Sequence, residues 1–353
     1  MQLRKRISKE IYIEAIRVIA IFLVIFNHTD GYYLYYSNTD NPLTWWFSCL
    51  GSVLCRSNVP LFIMITGALL LEKKEPIKVL YKKRICRMAV VLVIFSFFYY
   101  MLSVFRNPEK EFSLLDFLKG LLNGSIQESF WYLYLYLGLL MLLPLLRKMA
   151  AACTDNELRY LVLLQFIMGT GAGVFSFVTG VQVNDNLYIL NIYVFYLLAG
   201  CYLGKRTDMC KVPKSCIIGS FVLTVLCLAG TCAAVRMGWH RDRVYNQEVL
   251  NLLTPIQTFC VFLDIRWICW KCDGSGKTKE RYLQKLICEA GSCVFGIYLL
   301  EQLARIQLLP LYLYLSKNTV GVLACICYVF GSFLLAWVYT EILKRVPLLG
   351  RLL

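Results

Sequence analysis

Two residues that can exchange protons or pair with anions, Arg17 and His28, lie inside the first apolar run of the chain. Ionisable side chains destabilise a membrane span, by about 2.5–3.5 kcal/mol for a central Arg, so they mark functional sites by default. Their spacing of eleven positions places both on one face of a helix, about 16 Å apart along its axis. Because His is the usual proton acceptor near neutral pH, we predict that His28 is a general base.

Each of these residues also has a simpler interpretation. Arg17 lies near a predicted helix end, from which a long side chain can extend to the lipid headgroups. A neutral His28 can be satisfied by a neighbouring helix. Asp30 comes two residues later, and it is either the partner that orients His28 or the first residue of the next loop. We predict Arg17 and His28 as catalytic residues and Asp30 as a substrate-binding residue.

A second intramembrane cation, Arg56, precedes Pro60 in the next apolar run. Proline cannot donate a backbone hydrogen bond, and breaks of this kind occur where they are buried in protein or line a cavity. We therefore predict a broken helix beside a cavity. Arg56 or Asn58 would be available there to stabilise a developing negative charge, and we class Arg56 as catalytic.

A third set of cations lies at the start of the following span, where Lys82, Arg84 and Arg87 fall within two helical turns. Arg binds phosphate oxygens in bidentate geometry, so the set suits a polyphosphate head group. The retention of Lys and Arg on the cytoplasmic side of membranes explains part of the same pattern. We predict that Lys82, Arg84 and Arg87 bind a cofactor.

These residues must be positioned by membrane-spanning helices. Hydrophobic residues make up 59% of the chain and charged residues 17%, whereas soluble domains have about 45–50% and about 25%. We predict an all-α, polytopic protein with about ten transmembrane helices in a single domain, residues 1–353. The predicted spans are 12–36, 44–71, 88–105, 130–146, 160–178, 187–203, 215–235, 249–267, 286–306 and 319–343.

The net charge of +15 is explained by membrane topology. With ten spans, 27 of the 37 basic residues fall in one set of loops and 8 in the other. Cytoplasmic loops carry the excess of Lys and Arg, so we predict that both termini are cytoplasmic. We expect no nucleic-acid partner, because the chain has no basic aromatic patch of the kind found in single-strand binders. Cys269 and Cys272 have metal-ligand spacing but no second pair, so we expect no metal.

Five short motifs occur in order from about residue 10 onward. They are Arg17 with His28, the segment Pro60-Leu-Phe-Ile-Met-Ile-Thr-Gly67, Lys82-x-Arg84-x-x-Arg87, Trp131-Tyr132-Leu133, and Phe295-Gly296-Ile297-Tyr298-Leu299. Each motif alone has low specificity. In this order, on successive predicted spans, they resemble the acyltransferase-3 family of integral membrane acyltransferases. That family is related to the membrane domain of membrane-bound serine racemases.

The chain departs from the family pattern after the last motif. Many members have a histidine there, and this chain has Glu301. Glu301 can replace that histidine as an acid or base, or it can pair with Arg305 one turn later. We class Glu301, together with Trp131 and Tyr132, as substrate-binding residues.

The resemblance implies a multi-pass enzyme of the bacterial cytoplasmic membrane that takes an acyl group, most often acetyl, from cytoplasmic acyl-CoA. The implied acceptor is a hydroxyl of a cell-envelope glycan or of its lipid-linked precursor, and membrane lipids surround the enzyme. The three cations at 82–87 would hold acetyl-CoA. His28 would then deprotonate the acceptor hydroxyl or carry the acyl group itself.

Two alternatives stay open at the level of sequence. A transporter or flippase of a small polar substrate, such as an amino acid, would also use many spans, broken helices and intramembrane charges. Such transporters usually show two repeated halves, and no repeat is visible in this chain. Transfer of succinyl or another acyl group fits the same motifs as transfer of acetyl.

Overall fold

A computed structural model describes residues 2–29, 41–181, 183, 191–238, 249–273 and 278–353, with side chains from residue 11 onward except at 273 and 278–281. Helix accounts for 87% of the structure, and no strand occurs in the described part of the chain. The prediction of an all-α protein is confirmed.

The helices of the described residues are numbered in chain order. The first six are α1 (Gln2–His28), α2 (Pro42–Cys55), α3 (Asn58–Leu70), α4 (Ile77–Arg106), α5 (Leu114–Asn123) and α6 (Trp131–Ala152). The others are α7 (Asp155–Thr179), α8 (Ile192–Cys201), α9 (Lys214–Met237), α10 (Thr254–Asp273), α11 (Thr278–Asn318), α12 (Gly321–Lys344) and α13 (Pro347–Gly350). Wide π turns lie at Tyr81–Ile85, Phe166–Gly171 and Tyr202–Arg206.

Local sequence signals explain where several helices begin and end. Asn41 accepts hydrogen bonds from the first backbone N–H groups of α2, and Pro42 occupies the first helical position, where a missing N–H costs nothing. Thr154 and Glu157 form a reciprocal capping box at the start of α7. Gly124 ends α5 with a φ of 73°, a conformation that glycine adopts without a steric penalty.

Eight helices among the described residues are long and apolar enough to cross a membrane. The two remaining predicted spans are also helical but do not meet the same criterion. Of the predicted span 187–203, the described helix begins only at Ile192. Helix α10 carries Asp264, Arg266 and Lys271, which make it too polar. The cytoplasmic position of both termini stays a prediction.

Helix α1 lies between the two large apolar clusters of the structure. In the first cluster, Ile16 and Ala20 pack with residues of α3, α6 and α8. In the second, Ile21 and Ile25 pack with residues of α4, α11 and α12. Because successive turns of α1 belong to different clusters, this helix fixes the position of one half of the protein against the other.

Helices α3 and α8 pack with their backbones in contact. A Cβ atom added to Gly67 would lie 1.8 Å from the carbonyl oxygen of Leu197, and one added to Gly200 would lie 1.9 Å from that of Met64. Small residues permit this approach in membrane proteins. The C-terminal ends of the two helices also meet, because Arg206 after α8 forms a salt bridge of 2.9 Å with Glu72 after α3. The two helices therefore run in the same direction.

This close packing gives a prediction about stability. Gly67→Ala places a methyl group against a backbone carbonyl that cannot rotate away, so we expect destabilisation of about 1–3 kcal/mol or more. Thermal unfolding of the purified protein, followed by tryptophan fluorescence, measures the change. Gly138→Ala in α6 is the matched control, because nothing lies within 4 Å of its added Cβ. Equal melting temperatures for the two variants would contradict the proposed backbone contact.

Candidate functional site

A cavity of about 1300 Å³ opens between the two apolar clusters. It is lined by helices from both halves of the protein, including α1, α3, α4, α6 and α11. Most of the residues singled out in the sequence line it. These are Arg17, His28, Arg56, Arg84, Arg87, Trp131 and Tyr132.

His28 contacts a buried carboxylate on α11. Its Nδ1 lies 2.9 Å from Oε1 of Glu301, and the Glu301 side chain has no solvent exposure. The other carboxylate oxygen, Oε2, accepts a hydrogen bond of 2.6 Å from Nε of Arg305. Arg305 also donates to the backbone carbonyl of His28. Glu301 therefore pairs with Arg305, as one interpretation predicted, and contacts His28 as well.

The bond to Glu301 determines what His28 can do. A carboxylate paired with Arg305 is an acceptor, so the neutral imidazole donates to it from Nδ1. Nε2 then keeps its lone pair, and His28 lines the cavity with 21% of its side chain exposed. A histidine held in one tautomer by a buried carboxylate has the arrangement of a general base.

Neighbouring tyrosines and glutamines hold the Glu301 turn of α11. Tyr99 donates to the carbonyl of Leu299 over 2.8 Å, and Tyr298 donates to the carbonyl of Ser129. Gln302 accepts hydrogen bonds from Arg305 and from Gln127. These bonds connect α11 to α4 and to the start of α6, so the carboxylate is held from several sides.

Arg56 lies where the second span breaks. Pro60 has no N–H to donate to the carbonyl of Arg56, and the chain forms a turn at Arg56 and Ser57 between α2 and α3. Gln257 donates to Ser57 Oγ over 2.9 Å, and Thr258 donates to the same oxygen over 3.0 Å. The predicted break is present, it borders the cavity, and α10 holds it in place.

One end of the cavity is strongly cationic. Glu75, in the loop before α4, accepts hydrogen bonds of 3.2 Å from both Arg84 and Arg147. Burial raises the pKa of Glu75, but the hydrogen bonds from Arg147 and Arg84 lower it by more, so its pKa lies below the ordinary value. An ionised Glu75 orients Arg84 at the cavity wall. Arg87 donates two hydrogen bonds to the carbonyl of Leu352.

Arg17 lies between this end and His28. It forms a salt bridge of 2.6 Å with Glu14, one turn earlier. Gly291 makes room for that carboxylate, because a Cβ at this position would lie 2.2 Å from Oε2 of Glu14. The guanidinium of Arg17 remains at the cavity wall with 31% of the side chain exposed.

Three predicted site residues are not among those found at the cavity wall. Glu301 was expected to bind substrate, but its side chain is fully buried and contacts His28 and Arg305 instead. Lys82 is exposed and does not line the cavity, although Lys83 does. The reason is the helical geometry of residues 81–87, which turns Lys82 away from Arg84 and Arg87. Asp30 lies outside the described residues, so its predicted role stays a prediction.

Sequence reasoning missed several residues of the site. Arg305 was predicted only as a possible partner of Glu301, whereas in the structure it also binds the backbone carbonyl of His28, with 17% of its side chain exposed. The four-residue spacing from Glu301 was the available signal. Glu75 and Arg147 form a hydrogen bond although they are 72 residues apart in the sequence. No motif near either residue predicts this contact.

Comparison with known proteins identifies one family. The profile of a family described as an acyltransferase domain matches residues 10–341. No curated protein and no solved structure matches the chain.

The buried ion pair gives a prediction about stability. Arg305→Ala leaves Glu301 uncompensated in a site without solvent, and removing one partner of a buried pair typically costs about 3–5 kcal/mol. We expect a large fall in melting temperature, measured by tryptophan fluorescence. The double variant Arg305→Ala with Glu301→Gln removes the stranded charge and should recover much of the loss. Lys285→Ala, which breaks an exposed pair with Glu289, is the control at about 1 kcal/mol or less.

Proposed function

Because the chain belongs to the acyltransferase-3 family, we propose that this multi-pass membrane acyltransferase moves an acetyl group from cytoplasmic acetyl-CoA to a hydroxyl of a cell-envelope glycan or its lipid-linked precursor. The proposal places it in the bacterial cytoplasmic membrane. The observation that carries the proposal is the hydrogen bond between His28 and the buried Glu301, at the wall of a cavity whose other end is cationic.

The reaction needs a base, and His28 supplies it. Nε2 accepts the proton of the acceptor hydroxyl as its oxygen attacks the carbonyl carbon of the thioester. Glu301, bound at Nδ1, stabilises the imidazolium that forms. When the C–S bond breaks, the CoA thiolate takes the proton from Nε2. An ester and free CoA are the products, and His28 returns to its neutral form.

The negative charge that develops on the thioester oxygen needs a cation or donors nearby. Arg56 lines the same cavity as His28 and lies at the helix break, where the side chain of the neighbouring Asn58 also reaches the wall. Fixed positive charge in a site of low dielectric stabilises an oxyanion strongly. We assign this role to Arg56.

The donor binds at the cationic end. Arg84, Arg87 and Lys83 line the cavity there and offer bidentate and point-charge contacts to the phosphates of CoA. Arg17 lies about 16 Å from His28 along α1, eleven residues at 1.5 Å each. The nucleotide therefore stays at the cavity mouth, and the narrow pantetheine arm carries the thioester toward the base. The predicted topology puts this mouth on the cytoplasmic side, where acyl-CoA is made.

Replacement of the base tests the chemistry. We expect His28→Ala to lower acetyl transfer by about 10²–10⁴-fold, the usual contribution of a general base, with little change in CoA binding. The assay uses purified protein in nanodiscs, radiolabelled acetyl-CoA and bacterial membranes, with alkali-labile label in glycans as the readout. Retention of more than about a tenth of wild-type transfer would exclude His28 as the base. Absence of any acylated product from the wild-type protein would favour a transporter.

Replacement of the cations tests the donor site. Arg84→Ala combined with Arg87→Ala should weaken CoA binding at least tenfold, because charge-assisted bonds to phosphate contribute about 1.5–3 kcal/mol each. Calorimetry with CoA measures this directly. Lys82→Ala, in the same helical segment but exposed and outside the cavity wall, is the matched control and should leave the affinity within about twofold. Equal affinities of the two variants would refute the assignment.

A further inference from the structure

We propose that residues of α7, α8 and the segment before α10 form an acceptor subsite that binds an uncharged, polyhydroxylated ring and rejects an anionic one. This wall of the cavity is defined by Gln165, Thr170, Tyr193, Tyr196 and Asn251. The inference rests on the proposed function, and it specifies the chemical class of sugar that enters the site.

The two ends of the cavity differ in charge. The donor end is lined by Arg17, Lys83, Arg84 and Arg87. Among the described residues of 165–170, 192–196 and 251–255 that line the cavity, none is charged. Amides, hydroxyls and aromatic rings take their place. Such a surface can offer hydrogen bonds and flat apolar area, but it offers no compensation for a carboxylate or a phosphate.

Thr170 is an unsatisfied polar group in this wall. It is 3% exposed, and its Oγ1 has no hydrogen-bond partner among the residues that the structure describes. Buried hydroxyls in native proteins are usually paired, so an orphan at a cavity wall indicates a missing ligand or water. Thr170 also lies in the π turn Phe166–Gly171, and π turns are frequent at functional sites.

Gln165 directly precedes this π turn. Its side-chain amide covers Gly169, where an added Cβ would lie 2.3 Å from Nε2. The missing side chain at Gly169 therefore lets the amide lie close to the backbone at the cavity wall. Together, Gln165 and Thr170 present one amide and one hydroxyl at the cavity wall, five residues apart in the sequence.

Packing holds this wall as one unit. Phe166 contacts Phe195 of α8 and Phe259 of α10, with ring centroids 5.8 Å and 5.5 Å apart. A Cβ added to Gly173 would lie 2.7 Å from Leu252. Helices α7, α8 and the chain before α10 thus meet around the π turn, which brings Thr170 and Asn251 to one side of the cavity.

The wall lies beside the catalytic groups. Because α8 runs parallel to α3, with Gly200 against Met64, Tyr193 falls about two turns earlier, near the level of the break at Arg56. A ring bound against Tyr193 would therefore lie close to Arg56 and His28. A sugar has an apolar C–H face and a rim of hydroxyls, which match the aromatic and polar groups of this wall.

The rates of acetylation of a neutral and an acidic glycoside test the charge preference of the subsite. Purified protein in nanodiscs receives radiolabelled acetyl-CoA and either octyl β-D-glucoside or octyl β-D-glucuronide, below their micelle concentrations. We expect acetylation of the neutral glycoside at a rate at least tenfold above that of the acidic one. Equal rates, a preference for the glucuronide, or no acetylation of either glycoside while transfer to bacterial membranes proceeds would overturn the subsite.

Variants test the residues. Thr170→Val and Gln165→Leu should each raise the KM for octyl β-D-glucoside about tenfold, as expected for one lost hydrogen bond. The KM for acetyl-CoA should stay unchanged, because the cations of the donor end are not altered. Thr224→Val is the matched control, since this buried threonine lies outside the cavity and donates to the carbonyl of Ser220. An unchanged KM for the glycoside in both Thr170→Val and Gln165→Leu would overturn the subsite. A wild-type protein that transfers no acetyl group from acetyl-CoA to any acceptor would instead overturn the proposed function.

Discussion

The carboxylate of Glu301 is the constraint on which the site depends. It is fully buried in a helix of a membrane protein, where an uncompensated charge would be strongly destabilising. Arg305, one turn later, neutralises it and also binds the backbone carbonyl at the end of α1. His28 takes the remaining carboxylate oxygen. The buried charge of Glu301 therefore holds the end of α1 against α11. The hydrogen bond to the same carboxylate orients the imidazole of His28.

The shape of the cavity follows from a second constraint, the missing N–H of Pro60. The helix break that results places Arg56 at the cavity wall instead of in lipid. Directly after the break, α3 packs on α8 through glycines with backbones in contact. The break and the close packing act together, because tight contact on one face of α3 leaves the other face free to line the cavity with Phe62 and Thr66.

The sequence predicted features that depend on local geometry. The common face of Arg17 and His28, the break before Pro60 and the all-α fold all follow from helical periodicity or from proline stereochemistry. The bond between Glu301 and His28 joins residues 273 positions apart, and only tertiary packing creates it. The predicted span 286–306 contains Arg305 but ends well before α11 does, because the helix continues to Asn318. Lys82 was grouped with Arg84 by its position in a motif, and the side-chain direction separates them.

The distribution of charge along the cavity agrees with a reaction between unlike partners. A CoA donor carries several negative charges on its nucleotide and none near its thioester. Under the proposed function, the cations gathered at one end would retain the nucleotide there, since about 16 Å along α1 separate Arg17 from His28. Arg56 is the one cation that lines the cavity near His28 among the described residues. Glu301, behind His28, is compensated by Arg305. In the proposed reaction, a single cation would face the thioester and act on the oxyanion alone, because a neutral acceptor brings no competing charge into this site of low dielectric.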